Sequence, residues 1–454
     1  MFVGREVELQ QLGEAFAQEH SATLVYGKRR VGKTTLIKQA LLNQEKENLY
    51  YECIKGTVQD NIDGFTQMLL DKHVLQFSTS FSSFRDVFAY LNTLSRKFII
   101  VIDEYPYLKS LTHGKFVDSE FQAVIDNHLS NINLVLSGSH IGMMREMLEE
   151  GNALYGRFET VIRLRELSYR TAAQFYSNKS AYDKIGLYSV FGGSPFILSQ
   201  LRSGESLEQN IVRTILSENN PVHLYAANLL LSDYSNSINT ERILAALGNG
   251  KKRYTELESK LGANKTGNLS KQLKSLTDLE IIRRSAPINK PGDAKKTSFE
   301  INDNLMRFYY TFVYRNRSAL QMLGPQAFYT QFVAPTLIEF ISHRYEEICR
   351  DYFSYLAKSG QLPEVRNIGS YYYDDPATKT NGEFDVALDL GDTYALYEAK
   401  YYQSPMELSE IHKEVGQIRE IRDLAVTRIG FIAASGFTEK EASYQYLTAD
   451  DLYA

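Results

Sequence analysis

Three groups of residues in this chain have types and spacings suited to chemistry. The first is Gly27-Lys28-Arg29-Arg30-Val31-Gly32-Lys33-Thr34-Thr35, which carries the full G-x-x-x-x-G-K-[ST] spacing. Glycine allows the backbone angles that turn successive N–H groups toward a phosphate, and a helix starting at the end of the loop adds its positive pole. Lys33 can reach β- and γ-phosphates, and the Thr34 hydroxyl can ligate Mg²⁺. The second group is Asp103-Glu104, an acidic pair closing an apolar run. Asp103 suits the Mg²⁺ shell, and Glu104 suits orienting or deprotonating an attacking water. The third is Asp385 followed by Glu398-x-Lys400, with Glu346-Glu347 upstream. Residues two apart share one face of a strand, so Glu398 and Lys400 would lie side by side. Asp385 on a neighbouring strand could join Glu398 on one Mg²⁺, with Glu346 or Glu347 as a further ligand and Lys400 placing or activating the water. ATP and Mg²⁺ are the cofactors expected from these patterns.

The surrounding pattern predicts the elements that must hold these groups. Thr23 to Tyr26 is a short apolar run entering the glycine-framed loop, and Leu36, Ile37, Ala40 and Leu41 leave it at helical spacing. Phe98 to Ile102 is continuously apolar, as a buried parallel strand requires. Ile132 to Leu136 is another such run, and it ends in Ser137-Gly138-Ser139-His140. Ser137 there suits sensing of a γ-phosphate, while Ser-Gly-Ser is equally ordinary loop chemistry. Strands alternating with helical stretches predict a parallel sheet covered on both faces.

Phe2-Val3-Gly4-Arg5-Glu6, Gly27–Thr34, Asp103-Glu104 and Ser137-Gly138-Ser139 together resemble the archaeal-type ATPase family of the STAND/AAA+-like P-loop NTPases. Leu154-Tyr155-Gly156-Arg157 resembles the family's Gly-Arg element, and Gly192-Gly193-Ser194-Pro195 its helical-lid motif. The resemblance implies that Gly4, Arg5 and Pro195 lie near the nucleotide base. It makes Arg157 a γ-phosphate sensor or arginine finger, unless that side chain is spent on a structural ion pair.

Charge separates the middle of the chain from its end. From Thr240 to Glu300 there are 13 Lys and Arg against 7 Asp and Glu, and from His343 to Ala454 there are 11 against 20. Different partners are therefore expected for the two parts. Ile243 to Leu247, Tyr254 to Leu261 and Thr266 to Leu276 read as helices, with a Gly262-Ala263-Asn264 turn before the last. Ile281 to Arg284 and Thr297 to Ile301 read as strands flanking a Pro287–Lys296 loop. This resembles a winged helix. It would place Asn268, Lys271 and Lys274 in a DNA groove and Lys295 and Lys296 on phosphate, or else serve as a protein-binding module. Asn302 to Arg315 resembles the family's Asp-x-x-Leu-Arg-Phe-[Tyr/Trp] segment. Its aromatics at helical spacing predict core in preference to a platform for stacking bases.

Beyond it the order α-β-β-β-α-β, with Asp385 a hairpin away from Glu398-x-Lys400, resembles the PD-(D/E)XK nuclease fold; Gln417 matches a polar position in the second helix of some such nucleases. The expected fold class is α/β throughout. It comprises a P-loop NTPase core at residues 1–165, a helical lid at 166–235, a winged helix at 236–301, an aromatic connector at 302–335 and a restriction-endonuclease-like domain at 336–454. Cys53 and Cys349, far apart in the chain, exclude a disulfide scaffold or a cysteine-rich zinc module. The polar start and the lack of long apolar runs predict a cytoplasmic protein with no membrane partner. DNA is the expected macromolecular partner, and an arginine acting in trans would require a homo-oligomer. The other reading is a STAND-like switch or scaffold for a protein partner, its nuclease fold inactive.

Overall fold

The computed structural model describes residues 2–110, 115–233, 238–262, 268–375, 380–421 and 424–454. The expected Ala263-Asn264 turn, the start of the next helix at Thr266-Gly267 and the 235/236 boundary lie outside them. Two compact units are present: Met1–Leu167 with Ser194–Phe196, and Ser168–Gly193 with Ile197–Ala454. The segment expected to be the lid is thus divided, with Glu166, Leu167 and Ser194–Phe196 in the first unit and its other described residues in the second.

The first unit is built on strands β1 (Ser21–Tyr26), β2 (Glu47–Glu52), β3 (Phe98–Asp103), β4 (Ile132–Gly138) and β5 (Thr160–Arg163), in the order β2-β3-β4-β1-β5. Every pairing is parallel. The continuous apolar runs follow from burial on both faces. Ile100 and Ile102 point into one core with Leu24, Phe65 and Phe121, while Ile99 and Val101 point into the other with Val25, Leu36 and Ile37. Burial of each such side chain contributes roughly 1.5–3 kcal/mol. Helix α1 (Glu6–Ala17) precedes β1, and α2 (Lys33–Leu41) follows it after the glycine loop. This is the α/β arrangement of a P-loop NTPase.

In the second unit Ile238–Leu247, Tyr254–Leu261 and α3 (Asn268–Asp278) are helices. They accompany a small antiparallel sheet of β6 (Lys252–Arg253), β7 (Ile282–Ser285) and β8 (Ser298–Ile301), in the order β6-β8-β7. Leu269, Leu273 and Leu276, spaced by four and three, are the buried stripe of α3, completing a winged-helix region. Phe308, Tyr309, Tyr310 and Phe312 are buried, so the aromatic run is core.

Helix α4 (Leu337–Lys358) then leads to β9 (Asn367–Asp375), β10 (Thr380–Asp389), β11 (Tyr394–Lys400), β12 (Val426–Ala433) and β13 (Gln445–Thr448). Their order is β13-β12-β11-β10-β9, with α5 (Leu408–Glu420) between β11 and β12. β9-β10-β11 pair antiparallel and β11-β12-β13 parallel.

The wing departs from expectation. The Ile288 N–H donates to Ser370 O at 2.8 Å, and Asn289 Nδ2 to Tyr372 O at 2.8 Å. Lys296 Nζ lies 3.6 Å from the centre of the Tyr372 ring and 3.9 Å from Asp374 Oδ2. The wing is therefore docked on β9, and Lys296 is engaged there instead of being free for a phosphate. Among the described residues no helix is long and apolar enough to cross a membrane.

Candidate functional sites

The loop Gly27–Gly32 sits where β1 ends and α2 begins. A Cβ at Gly27 would come within 2.1 Å of Leu164 O, so only glycine permits this approach of the loop to the residue that follows β5. Gly32 holds φ at 97°, in the left-handed region, and caps α2. Lys33 is 6% exposed, and its ammonium donates to Gly27 O at 3.0 Å and Lys28 O at 3.1 Å, bracing the loop from within. Arg29 donates to the Tyr107 hydroxyl at 3.2 Å, and the Arg30 guanidinium lies 3.8 Å from the Phe196 ring centre. Val31 is buried, and Thr35 is exposed on α2.

The Thr34 hydroxyl donates to Asp103 Oδ2 at 2.9 Å, so the loop and the end of β3 present adjacent oxygens. Tyr50 donates its hydroxyl to the same carboxylate, and burial together with Asp103 pushes the Tyr50 phenol well up, keeping it a donor. At Glu104 the backbone takes φ 52°, unusual for a non-glycine residue. Its Oε2 accepts the Ser139 hydroxyl at 2.9 Å and the Ser139 N–H at 3.4 Å. A hydroxyl beside a carboxylate, next to a glycine-cradled loop with a buried lysine, is the donor set that suits a triphosphate and a hydrated Mg²⁺.

Two expected residues stand elsewhere. Ser137 is fully buried in β4, and its hydroxyl finds no hydrogen-bond partner among the described residues, so Ser139 takes the place beside Glu104. Ser139 stands one residue past the end of β4, where the chain has left the sheet and its hydroxyl can reach Glu104. Arg157 Nε donates to Asp126 Oδ1 at 3.0 Å, and two residues later the Glu159 N–H meets Ala22 O at the start of β1. The phosphate loop follows the other end of that six-residue strand, roughly 20 Å away at strand rise. The side chain is thus in a structural ion pair, not at the nucleotide site of its own chain.

Arg5, at φ 77°, donates to Val31 O at 3.2 Å and to Arg165 O at 2.6 Å, so it buttresses the loop. Gly4 precedes it at φ 66°. Pro195 is also brought to the loop, its Cγ 3.8 Å from where a Gly32 Cβ would stand, and the Ser194 hydroxyl donates to Arg30 O at 3.2 Å.

In the second unit, Asp385 on β10 accepts the Ala399 N–H of β11 at 3.0 Å, which sets it beside Glu398. Burial, Glu398 and Glu346 hold the Asp385 carboxyl well above the usual range. Lys400 Nζ donates to Glu398 Oε1 at 2.5 Å and lies 3.9 Å from Glu414 Oε1. These acids hold the Lys400 ammonium above its ordinary value despite burial. Glu346 lies 3.3 Å from His343 Nδ1 and 4.0 Å from Arg350 Nη1; burial pushes it up, but His343, Lys251 and Arg350 outweigh this and leave it low. Glu347 is instead paired with Arg283 and Arg344, which leaves Glu346 as the acid facing Asp385.

The expected three-carboxylate set Asp385, Glu398 and Glu346 is not gathered. Among the described residues no three His, Cys, Asp or Glu side chains form a group able to hold a metal ion, and Glu398 is occupied by Lys400. Mg²⁺ commonly uses only one or two carboxylates plus waters, so Asp385 with one neighbour still suits it. Glu414 was missed in the sequence; it stands three residues before Gln417, on the same face of α5.

Residues 2–201 match the model of an ATPase domain found predominantly in Archaea, residues 240–301 an HxlR-like helix-turn-helix, and residues 309–413 a family of archaeal and bacterial proteins of unknown function. An uncharacterized protein of Methanocaldococcus jannaschii is 28% identical over 407 residues, covering 87% of this chain and 86% of the relative. A Walker-type ATPase of Pyrococcus abyssi shares the fold at 19% identity and TM-score 0.52, over 68% of this chain and 96% of its own. The chain therefore carries a P-loop ATPase domain followed by a winged-helix region and a C-terminal sheet domain.

Proposed function

We propose that this protein binds and hydrolyses ATP at Gly27–Thr35 and acts on DNA, with the C-terminal sheet as a metal-dependent, nuclease-like part. The observation that carries the ATPase half is the Thr34–Asp103 hydrogen bond, with Glu104 held one residue further on by Ser139. Mg²⁺ bound there would neutralise developing charge on the phosphates. Loop N–H groups and Lys33 would hold the phosphates, Thr34 and Asp103 would orient the cation's shell, and Glu104 would orient the attacking water, its proton passing to the carboxylate.

On DNA, Lys271 and Lys274 of α3 and Lys295 of the wing are exposed and available to phosphates. For cleavage, Asp385 facing the Glu398-x-Lys400 pair across β10 and β11 supports the resemblance to PD-(D/E)XK nucleases, as does the strand order. Asp385 would ligate the cation and Lys400, once released from Glu398, would place the water.

A second reading is a nucleotide-controlled switch for a protein partner. It is favoured by the docked wing and by the Lys400–Glu398 pair that occupies one expected ligand. Surface Arg157 would then serve a neighbouring copy only in a homo-oligomer.

Plasmid cleavage with Mg²⁺ or Mn²⁺, with and without ATP, separates these readings. Nicking that vanishes in Asp385→Ala and in Glu398→Ala/Lys400→Ala supports the nuclease-like site, and nicking that persists refutes it. DNA binding without cleavage supports regulation, and neither supports the protein switch.

A further inference from the structure

A cavity of about 400 Å³ in the second unit is lined by both acids and bases. Glu346 of α4 and Asp385 of β10 line it, as do Lys251 just before β6 and Arg307 of the Asp303–Tyr309 segment. Asp303 caps that helical turn by accepting the Met306 N–H at 3.0 Å, which fixes where Arg307 emerges one turn later.

Arg307 is 8% exposed, and its Nη1 has no hydrogen-bond partner among the described residues. Glu300 attracts it at a distance, but the Glu300 carboxylate already accepts Arg283 at 2.9 Å. A guanidinium buried without a bonded anion is expensive, and removing water from it raises its appetite for one. Here the shortfall lies on the wall of a cavity large enough for a nucleotide-sized group.

We propose that this cavity binds a phosphate group, with Arg307 and Lys251 on its oxygens and a divalent cation on Asp385 and Glu346 bridging it from the other side. The planar fork of an arginine matches two phosphate oxygens, which a lysine cannot do. With Glu300 and Glu383 also on the lining, acids outnumber Lys251 and Arg307, so phosphate alone is repelled and enters together with the cation. The phosphate is that of a nucleic-acid backbone or of a free nucleotide. The inference rests on the nuclease-like reading only through the cation on Asp385.

The test uses the full chain carrying Lys33→Ala, which silences the first nucleotide site. Calorimetric titrations with the thymidine dinucleotide d(TpT) and with thymidine monophosphate are run with and without Ca²⁺. Calcium-dependent binding is expected, weakened on the order of tenfold in Arg307→Lys, which keeps the charge and loses the fork, and in Lys251→Gln, both at unchanged melting temperature. Should Arg307→Lys fail to fold, Lys251→Gln decides alone. Tighter binding of d(TpT) assigns the site to a nucleic-acid backbone, and tighter binding of the monophosphate to a free nucleotide. No binding, or affinity untouched by the cavity substitutions, overturns the proposal. Binding with no plasmid cleavage refutes the nuclease reading and leaves the phosphate site standing.

Discussion

The Thr34 hydroxyl donates to Asp103 Oδ2 at 2.9 Å, joining the end of the phosphate loop to the end of a strand 69 residues later. Both oxygens are those a hydrated Mg²⁺ would draw on. Thr34→Val removes the hydroxyl and keeps the shape. ATP affinity measured by competition with a fluorescent nucleotide should fall on the order of tenfold with Mg²⁺ and stay unchanged with EDTA. Equal losses in both conditions would refute a role for Thr34 at the metal. Lys33→Ala, by contrast, should abolish binding in both.

Gly27 is held to glycine by space. A Cβ there meets Leu164 O at 2.1 Å, and Leu164 is itself fixed by its N–H bond to Tyr26 O at 2.7 Å. Gly27→Ala should cost about 1–3 kcal/mol in urea denaturation, the range for forced overpacking, and should weaken ATP binding as the loop shifts. Gly13→Ala on α1 is the contrast, since a Cβ there meets nothing within 4 Å. It should stabilise by roughly 0.5–1 kcal/mol through helix propensity.

How far these sites could be read from residues alone depended on how local the geometry was. Gly27 to Thr34 is contiguous, so the loop itself was readable from residue types and spacing, though not the contacts of Arg29 with Tyr107 or Arg30 with Phe196. The placement of Asp103 at a strand end followed from the apolar run before it. Ser137 against Ser139 was not decidable, because it depends on where β4 leaves the sheet. For Arg157 the sequence left a phosphate role and a structural ion pair both open, because its partner Asp126 lies on another element and no spacing in the chain announces which end of β1 the pair occupies. The docking of the wing on β9 and the capture of Glu398 by Lys400 are tertiary facts of the same kind.

Glu300 provides a pH test of the second unit. Burial pushes its carboxyl up, but Arg283, Lys251 and Arg307 together outweigh burial and leave it below its ordinary value. A lowered carboxylate contributes stability above the ordinary carboxylate range, and that stability is lost as pH falls through the folded-state value. At pH 7 Glu300→Gln should cost about 1.5–3 kcal/mol, the worth of a hydrogen bond to a charged group. Denaturation curves of the two proteins should converge as the pH drops below the ordinary carboxylate range. A difference that persists at low pH would show that packing, not charge, holds Glu300 in place.

Ser139 and Ser137 offer the sharpest separation of roles at the nucleotide site. The Ser139 hydroxyl and N–H both reach Glu104 Oε2, and Glu104 sits at a backbone angle that its neighbours must maintain. With the hydroxyl gone, Glu104 is free to turn away from the water it would orient. Ser139→Ala should therefore lower kcat for ATP hydrolysis on the order of tenfold or more, the low end of what a positioned acid–base group supplies, while ATP affinity holds. Ser137→Ala should leave kcat alone, because that hydroxyl is sealed inside β4 with no partner among the described residues. Removing it takes an unsatisfied polar atom out of the core, so the variant should be as stable as the parent or more so. Steady-state kinetics beside a thermal melt reads both effects, and the reverse pattern would return the sensing role to Ser137.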